Sequence, residues 1–549
     1  MSDLLNKASL VVIPSGYKED TVYSVVPSDG SGDLSFTRAS NGTRVNSAGL
    51  FEVTPWNLIP NSQTFASWAK VQISGSTVTV TDNFVTAPNG TLTGAKVVFS
   101  TFDTTAQIYQ DYTLSPTQVL NTTLYAKVPS GTKQAYFGFF DGVIKTQLKT
   151  LTTEWQRIEY TGSVTAGAIR ACWFYGVGAE SNVEVHLWGG QLNIGSTAKP
   201  YFPTTDRLNV PRLTYQNGGG GCPSLLLEKQ STNGLYPSED FSTTWNLFNS
   251  ATITTNQATS PDGTQNADKL TTTNSANALY NVNDAGSSAG DYTASIFVKP
   301  INNNSVGLGM TNDTTGEAFV LINVATGVGT TTSQTGWSNA TYTWQQHANG
   351  WYRITITATK GSSGAARFIL KGNSSSDYYI WGAQIELGNY PTSYIPTTTA
   401  SATRVADACF KTGISSLIGQ TEGVMFWDIN FVADGTEQTI NISDGTNFIY
   451  LQKYIDNKIY TGVYDGSFVG SITSPVLTSG RKKIAFGYIL NSLILYINGV
   501  SIGTDLTSTI PTCDRLSLTV SNTGSIETNN FILFPTKLTN AELASLTTI

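Results

Sequence analysis

The chain has 549 residues, a net charge of -7 and only 13% charged side chains beside 40% hydrophobic ones, about half the charge share of an average soluble protein. Threonine, serine, asparagine and glycine replace the missing charge. That excludes a long coiled coil or helix bundle, whose outer faces need charge, and the 11% aromatic content excludes a disordered chain. The acidic balance speaks against a nucleic-acid partner, because phosphates call for lysine and arginine.

At roughly 100–200 residues per domain, the length predicts about three or four domains. The start, Met1-Ser2-Asp3-Leu4-Leu5-Asn6-Lys7, lacks a basic stretch followed by an apolar one, so no secretory signal is expected. Residues 1–52 read as a small separate module that carries Phe36-Thr37-Arg38-Ala39-Ser40-Asn41-Gly42-Thr43-Arg44-Val45.

Two copies of one pattern follow, over 53–207 and 234–410. Leu58-Ile59-Pro60-Asn61-Ser62 with Phe65 and Trp68 matches Leu235-Tyr236-Pro237-Ser238-Glu239 with Phe241 and Trp245. Further along, Trp155-Gln156-Arg157-Ile158 matches Trp351-Tyr352-Arg353-Ile354, and Trp188-Gly189-Gly190-Gln191-Leu192 matches Trp381-Gly382-Ala383-Gln384-Ile385. Both copies close on an aromatic pair and a proline, Tyr201-Phe202-Pro203 and Tyr394-Ile395-Pro396. Val183, Val185 and Leu187 alternate with Glu184, His186 and Trp188, the period of a half-buried strand. Asp141-Gly142, Asn89-Gly90 and Asp262-Gly263 mark strand reversals, since glycine accepts the positive φ of tight turns. Each copy is therefore expected to be a jelly-roll β-sandwich.

Residues 208–233, with four consecutive glycines at 218–221, read as a linker. Thr403-Arg404-Val405-Ala406-Asp407 is a shortened echo of the N-terminal phrase. Residues 411–549 match neither copy, and their strands and Asp-Gly turns predict a third sandwich of another type. Within it, 484–497 is broken by Asn491-Ser492 and reads as two strands and a turn, so no membrane insertion is expected. Thr539-Asn540-Ala541-Glu542 is a capping box opening a C-terminal helix. The whole is an all-β chain of tandem antiparallel sandwiches.

Chemistry is sparse. Cys172, Cys222, Cys409 and Cys513 are scattered, and with His186 and His347 as the only histidines no zinc spacing arises. The cysteines read as buried free thiols. A glycosidase needs a carboxylate pair at defined separation, yet Glu239-Asp240 are chain neighbours and Glu184 and Glu386 lie near strand ends. No glycine loop for phosphates precedes a helix, so no cofactor and no catalytic residue is expected.

Aromatic faces that stack on sugar rings are the remaining option. Trp68/Trp245, Trp155/Trp351 and Trp188/Trp381 recur between copies and read as core. Trp173, aligned with Leu370, is read likewise, and Trp56 reads as a brace for the N-terminal module. Trp337 and Trp344 have no partner in the first copy and stand among small polar residues, which makes them the candidate carbohydrate-binding residues.

The phrases at 36–49, 381–386 and 391–399 resemble bacteriophage virion proteins, of a type found in phages of Bacteroidetes, built from tandem carbohydrate-binding-module-like jelly rolls. Leu495-Tyr496-Ile497-Asn498-Gly499 and Lys537-Leu538-Thr539-Asn540-Ala541-Glu542-Leu543 resemble concanavalin A-like (laminin G-like) sandwiches. The resemblance implies a head or tail fibre on the virion surface, assembled in the host cytoplasm. It implies attachment to capsid or tail proteins through the N-terminal module, a homotrimer, structural calcium on loop carboxylates, and adhesion to cell-surface or mucosal glycans. A tail-spike polysaccharide depolymerase and a ligand-free capsid decoration are the alternative readings.

Overall fold

The computed structural model describes residues 2–114, 117–178, 180–275, 278–281, 283, 286–312, 316–520 and 524–549. It is an all-β chain of antiparallel sandwiches that divides into two compact units, Val53–Leu208 on the one hand and Met1–Glu52 with Asn209–Ile549 on the other.

In the first unit two five-stranded sheets, counted among the described residues, face each other. Val97, Phe99, Leu124, Phe137, Phe174, Val185 and Leu187 fill the space between them. The alternation read in the sequence holds: Val183, Val185 and Leu187 point inward from the strand Ser181–Ile194 while Glu184 does not. The second copy repeats this with two six-stranded sheets around Leu270, Ile296, Leu308, Phe368, Leu370 and Ile380.

The C-terminal sandwich closes an eight-stranded sheet on a nine-stranded one. Strands Gly480–Ile489 and Ser492–Ile497 form the hairpin expected there, and Thr539 caps the helix Asn540–Thr547 in a reciprocal box with Glu542. The N-terminal segment and the linker depart from the sequence reading. Leu10–Val12 pairs with Ser525–Phe534, and Leu34–Thr37 pairs with Ala408–Thr412. Arg212–Thr214 and Ser224–Glu228 extend the eight-stranded sheet. Thus 1–52 is not a free-standing module, nor is 208–233 only a linker. Their short apolar runs, Leu10-Val11-Val12 and Leu225-Leu226-Leu227, find buried edges to pair with, which satisfies their backbone groups at the same time.

A charged cluster ties these segments to the second roll. Arg38 donates to Asp407 at 2.9 Å, Arg212 donates to Glu228 at 2.6 Å and also to Asp407, and Arg404 lies 3.0 Å from Glu228. All five side chains are at most 3% exposed. Burial alone would push Glu228 up, but the guanidinium groups of Arg404 and Arg212 hold its carboxyl down at about 2.

Candidate functional site

The duplicated residues form a hydrogen-bonded skeleton. Asn57 donates to the carbonyls of Gly190 and Phe202, as Asn233 does to those of Ala383 and Ile395. Ser62 meets the Tyr201 hydroxyl at 2.8 Å and Ser238 meets that of Tyr394 at 2.6 Å. Arg157 and Arg353 each hold a hydroxyl on the neighbouring strand, Thr123 and Ser295. The recurring indoles belong to this frame: Trp68 donates to the Asn61 carbonyl and Trp245 to that of Pro237. These positions are equivalent once Ser62 is matched with Ser238, one residue away from the match of Pro60 with Pro237 read in the sequence. Gly190 replaces alanine because a Cβ there would come within 2.4 Å of Trp68.

Burial alone would raise Glu184, but hydrogen bonds from Lys96 and His186 hold it below the usual carboxylate range. Glu386 is buried, accepting from Gln384 and Thr392. Burial, and then the Asp262 carboxylate, push Glu239 up to about 8, and it accepts from Tyr394 at 2.9 Å. The first copy carries Gln63 and Asn89 where the second has Glu239 and Asp262, so the same frame forms there without either acid. Burial drives His347 down to about 3. Cys172, Cys409 and Cys513 are buried free thiols, whereas Cys222 is exposed. Among the described residues no cluster of three His, Cys, Asp or Glu side chains is placed to hold a metal ion.

Trp337 and Trp344 both pack against the core of the second roll. Trp337 is 5% exposed and sits in the core of the second roll against Tyr292. Trp344 is half-buried, stacked on Tyr352 at 5.6 Å, with its Nε1 donating to the carbonyl of Val324. Both indoles close the sheet edge formed by Trp337–Gln346. Trp56 meets Phe202 edge-on at 5.1 Å and donates to the Pro200 carbonyl within its own unit.

The aromatic surface lies instead on the first roll. On strands Ala106–Leu114, Lys133–Phe140 and Gly167–Gly176, the side chains of Tyr109, Phe140 and Trp173 turn away from the inter-sheet core and gather around Arg170, with Tyr175 against Trp173 and Tyr136 against Tyr175. Trp173 is buried, 4% exposed, but it packs on the outer side of the sheet and not in the cluster between the sheets, because an extra residue enters the strand at Cys172, whose φ is 47°. Ala171, Cys172 and Phe174 face inward, and Arg170 and Trp173 come to share the outer face.

Gln107 fixes both, its Oε1 accepting from Trp173 Nε1 at 2.7 Å and from Arg170 Nη1 at 3.1 Å. The guanidinium lies 4.7 Å from the Tyr109 ring centre and 5.2 Å from that of Phe140. No carboxylate pairs with it among the described residues. Phe140 is half-buried, so ring surface remains open beside the cation. The matching rungs of the second roll carry Gly307 with Lys371, Gly309 with Ile369 and Thr311 with Arg367, whose Nη1 donates to the Tyr280 hydroxyl at 3.2 Å. There Phe319 lies across Gly307 and Lys371 is paired with Glu317. The two copies thus share an arginine on this outer face, Arg170 and Arg367, but the rings of Phe140 and Trp173 beside it belong to the first alone.

No family model matches the chain, and no curated protein matches it. Among solved structures it is similar to the Ruminococcus gnavus IT-sialidase CBM40, at 15% identity over 25% of this chain and 91% of that one, with a TM-score of 0.22. It is also similar to the CBM22-1-CBM22-2 tandem of Paenibacillus barcinonensis Xyn10C (11% identity, 60% and 97% of the two chains, TM-score 0.21). Mouse laminin alpha1 LG4-5 is a third (11%, 46% and 85%, 0.16). Likeness at this level carries no statement of ligand or activity.

Proposed function

We propose that this chain is a bacteriophage virion fibre or decoration protein that adheres to cell-surface or mucosal glycans without covalent catalysis. The observation that supports adhesion is the outer face of the first roll, where aromatic rings surround an unpaired guanidinium. Ring faces stack on the C–H surfaces of sugars at small entropic cost, and a planar fork of donors suits the carboxylate of a sialic or uronic acid. Many copies on one particle would sum weak contacts by avidity.

Docking to the head, or to the tail, then falls to the unit that contains residues 1–52 and 209–549. Assembly as a homotrimer, calcium on loop carboxylates and a place on the virion surface belong to the same reading. Native mass spectrometry, a melting curve with and without chelator, and electron microscopy of labelled particles read these three in turn.

A glycan array presenting acidic oligosaccharides tests the adhesive role. Phe140→Ala and Arg170→Ala should each weaken retention about tenfold, the equivalent of ~1.4 kcal/mol. Undiminished binding by both variants, or clearing of a purified polysaccharide by the wild type, would overturn the reading.

A further inference from the structure

The C-terminal sandwich carries a second surface of different chemistry. Strands Gln438–Ser443, Phe448–Lys453, Ile459–Tyr464 and Phe468–Thr473 lie side by side in the nine-stranded sheet. Their Ile440, Ile442, Ile449, Leu451 and Val463 face the core. The opposite face holds an open groove of about 330 Å³ lined by Thr439, Asn441, Phe448, Tyr450, Gln452 and Phe468, at the small end of ligand sites.

Phe448 stacks on Tyr464 at 5.0 Å, and Phe468, 67% exposed, stands edge-on to Tyr464 at 5.2 Å and to Tyr450 at 6.3 Å. Asn441 is half-buried and makes no side-chain hydrogen bond among the described residues. Gln452 Nε2 is held by Glu437 at 2.6 Å and by Thr439, which leaves its carbonyl oxygen as an acceptor. No cation lines the groove. Arg515, on the rung of Ser443 and Phe448, is paired with Asp514 at 2.8 Å.

We propose that this groove binds an uncharged saccharide, one pyranose face on Phe468 and Phe448 and its hydroxyls on Asn441, Gln452 and Thr439. A wholly apolar occupant would bury Asn441 without a partner, at a cost. An acidic sugar would meet Glu437 with no cation in the groove to offset it. The chain would then carry two glycan sites of unlike charge, one on each unit.

The test prints neutral hexose and N-acetylhexosamine oligosaccharides beside sialylated and uronic ones, and probes them with the full chain. Phe468→Ala and Asn441→Ala should reduce the neutral signals at least tenfold and leave the acidic ones unchanged, while Phe140→Ala should do the reverse. Because Phe468 is mostly exposed, its loss should leave the melting temperature unchanged. Absence of neutral signals from the wild type, or neutral signals untouched by both groove variants, overturns the proposal. Acidic signals that persist in those cases would show that the first-roll site stands without it.

Discussion

Phe51 and Phe297 meet edge to face, their ring centres 4.9 Å apart at 71°. Phe51 comes from the N-terminal segment and also touches His347 at 5.3 Å and Trp381 at 6.3 Å, so a patch of the second roll is sealed by residues far earlier in the chain. In the first roll Tyr125 takes the place of Phe297, pairing with Trp188 as Phe297 does with Trp381, and it is only half-buried. Phe51→Ala should therefore destabilise the unit of Met1–Glu52 and Asn209–Ile549 by about 3 kcal/mol, the usual cost of deleting a buried ring. Hydrogen exchange resolved by peptide should show the loss in 290–300 and 376–387 and none in 53–208.

The unit boundaries give a second expectation. Val53–Leu208 has its own core and both of its sheets, so expressed alone it should unfold in one cooperative transition. The remainder, with Glu52 joined to Asn209 by a short glycine-serine bridge, should fold too. Removing residues 1–52 should instead destabilise the C-terminal sandwich, because Leu10, Val12, Leu34 and Phe36 belong to its core. Circular dichroism melts of the three proteins check this, and a stable truncated chain would refute it.

The sandwiches were legible because strand alternation and glycine turns are local signals, and the duplication repeats them. The N-terminal weave was not. Leu10–Val12 is too short to show a period, and its partner Phe531 lies at the other end of the chain. The aromatic face of the first roll was hidden by a phase slip. Strict alternation puts Arg170 and Trp173 on opposite faces, and only the irregularity at Cys172 unites them. Trp337 and Trp344 lie on an edge strand, which small polar neighbours mark as readily as they mark a binding surface. The groove at Phe448 did carry a signal: Phe448, Tyr450 and Gln452 alternate with Ile449 and Leu451, which puts aromatics on the face turned from the core.

Glu239 sets a pH dependence with a definite sign. Its folded pKa stands at about 8, above the ordinary 4.5, so the folded state holds a proton that the unfolded chain has released. The stability this group contributes is complete below about 4.5 and is lost as pH rises through 8. His347, pushed down to about 3, works oppositely, costing stability only below its ordinary 6.5. Between pH 6.5 and 8 Glu239 acts without it. Glu239→Gln, which installs the amide the first roll already has at Gln63, should flatten the fall in melting temperature across that window. An unchanged slope in the variant would show that the carboxyl is not the group responsible.

Asp407 is the residue on which the buried charges depend. It accepts from Arg38 at 2.9 Å and from Arg212, and it receives the backbone N–H of Glu228 at 2.8 Å. Arg38 belongs to the N-terminal phrase and Asp407 to its C-terminal echo, so the two related stretches meet in one ion cluster. Asp407→Ala would leave two guanidinium groups buried with one carboxylate, Glu228, to share with Arg404, and losing one partner of such a pair costs about 3–5 kcal/mol. Asp407→Asn keeps the shape and an acceptor but not the charge, and should recover only part of that loss. Urea unfolding of the three proteins at pH 7 measures both. If the alanine variant unfolds at the wild-type midpoint, the cluster does not hold the N-terminal strands in place, and the apolar pairing of Leu10–Val12 with Ser525–Phe534 must do so alone.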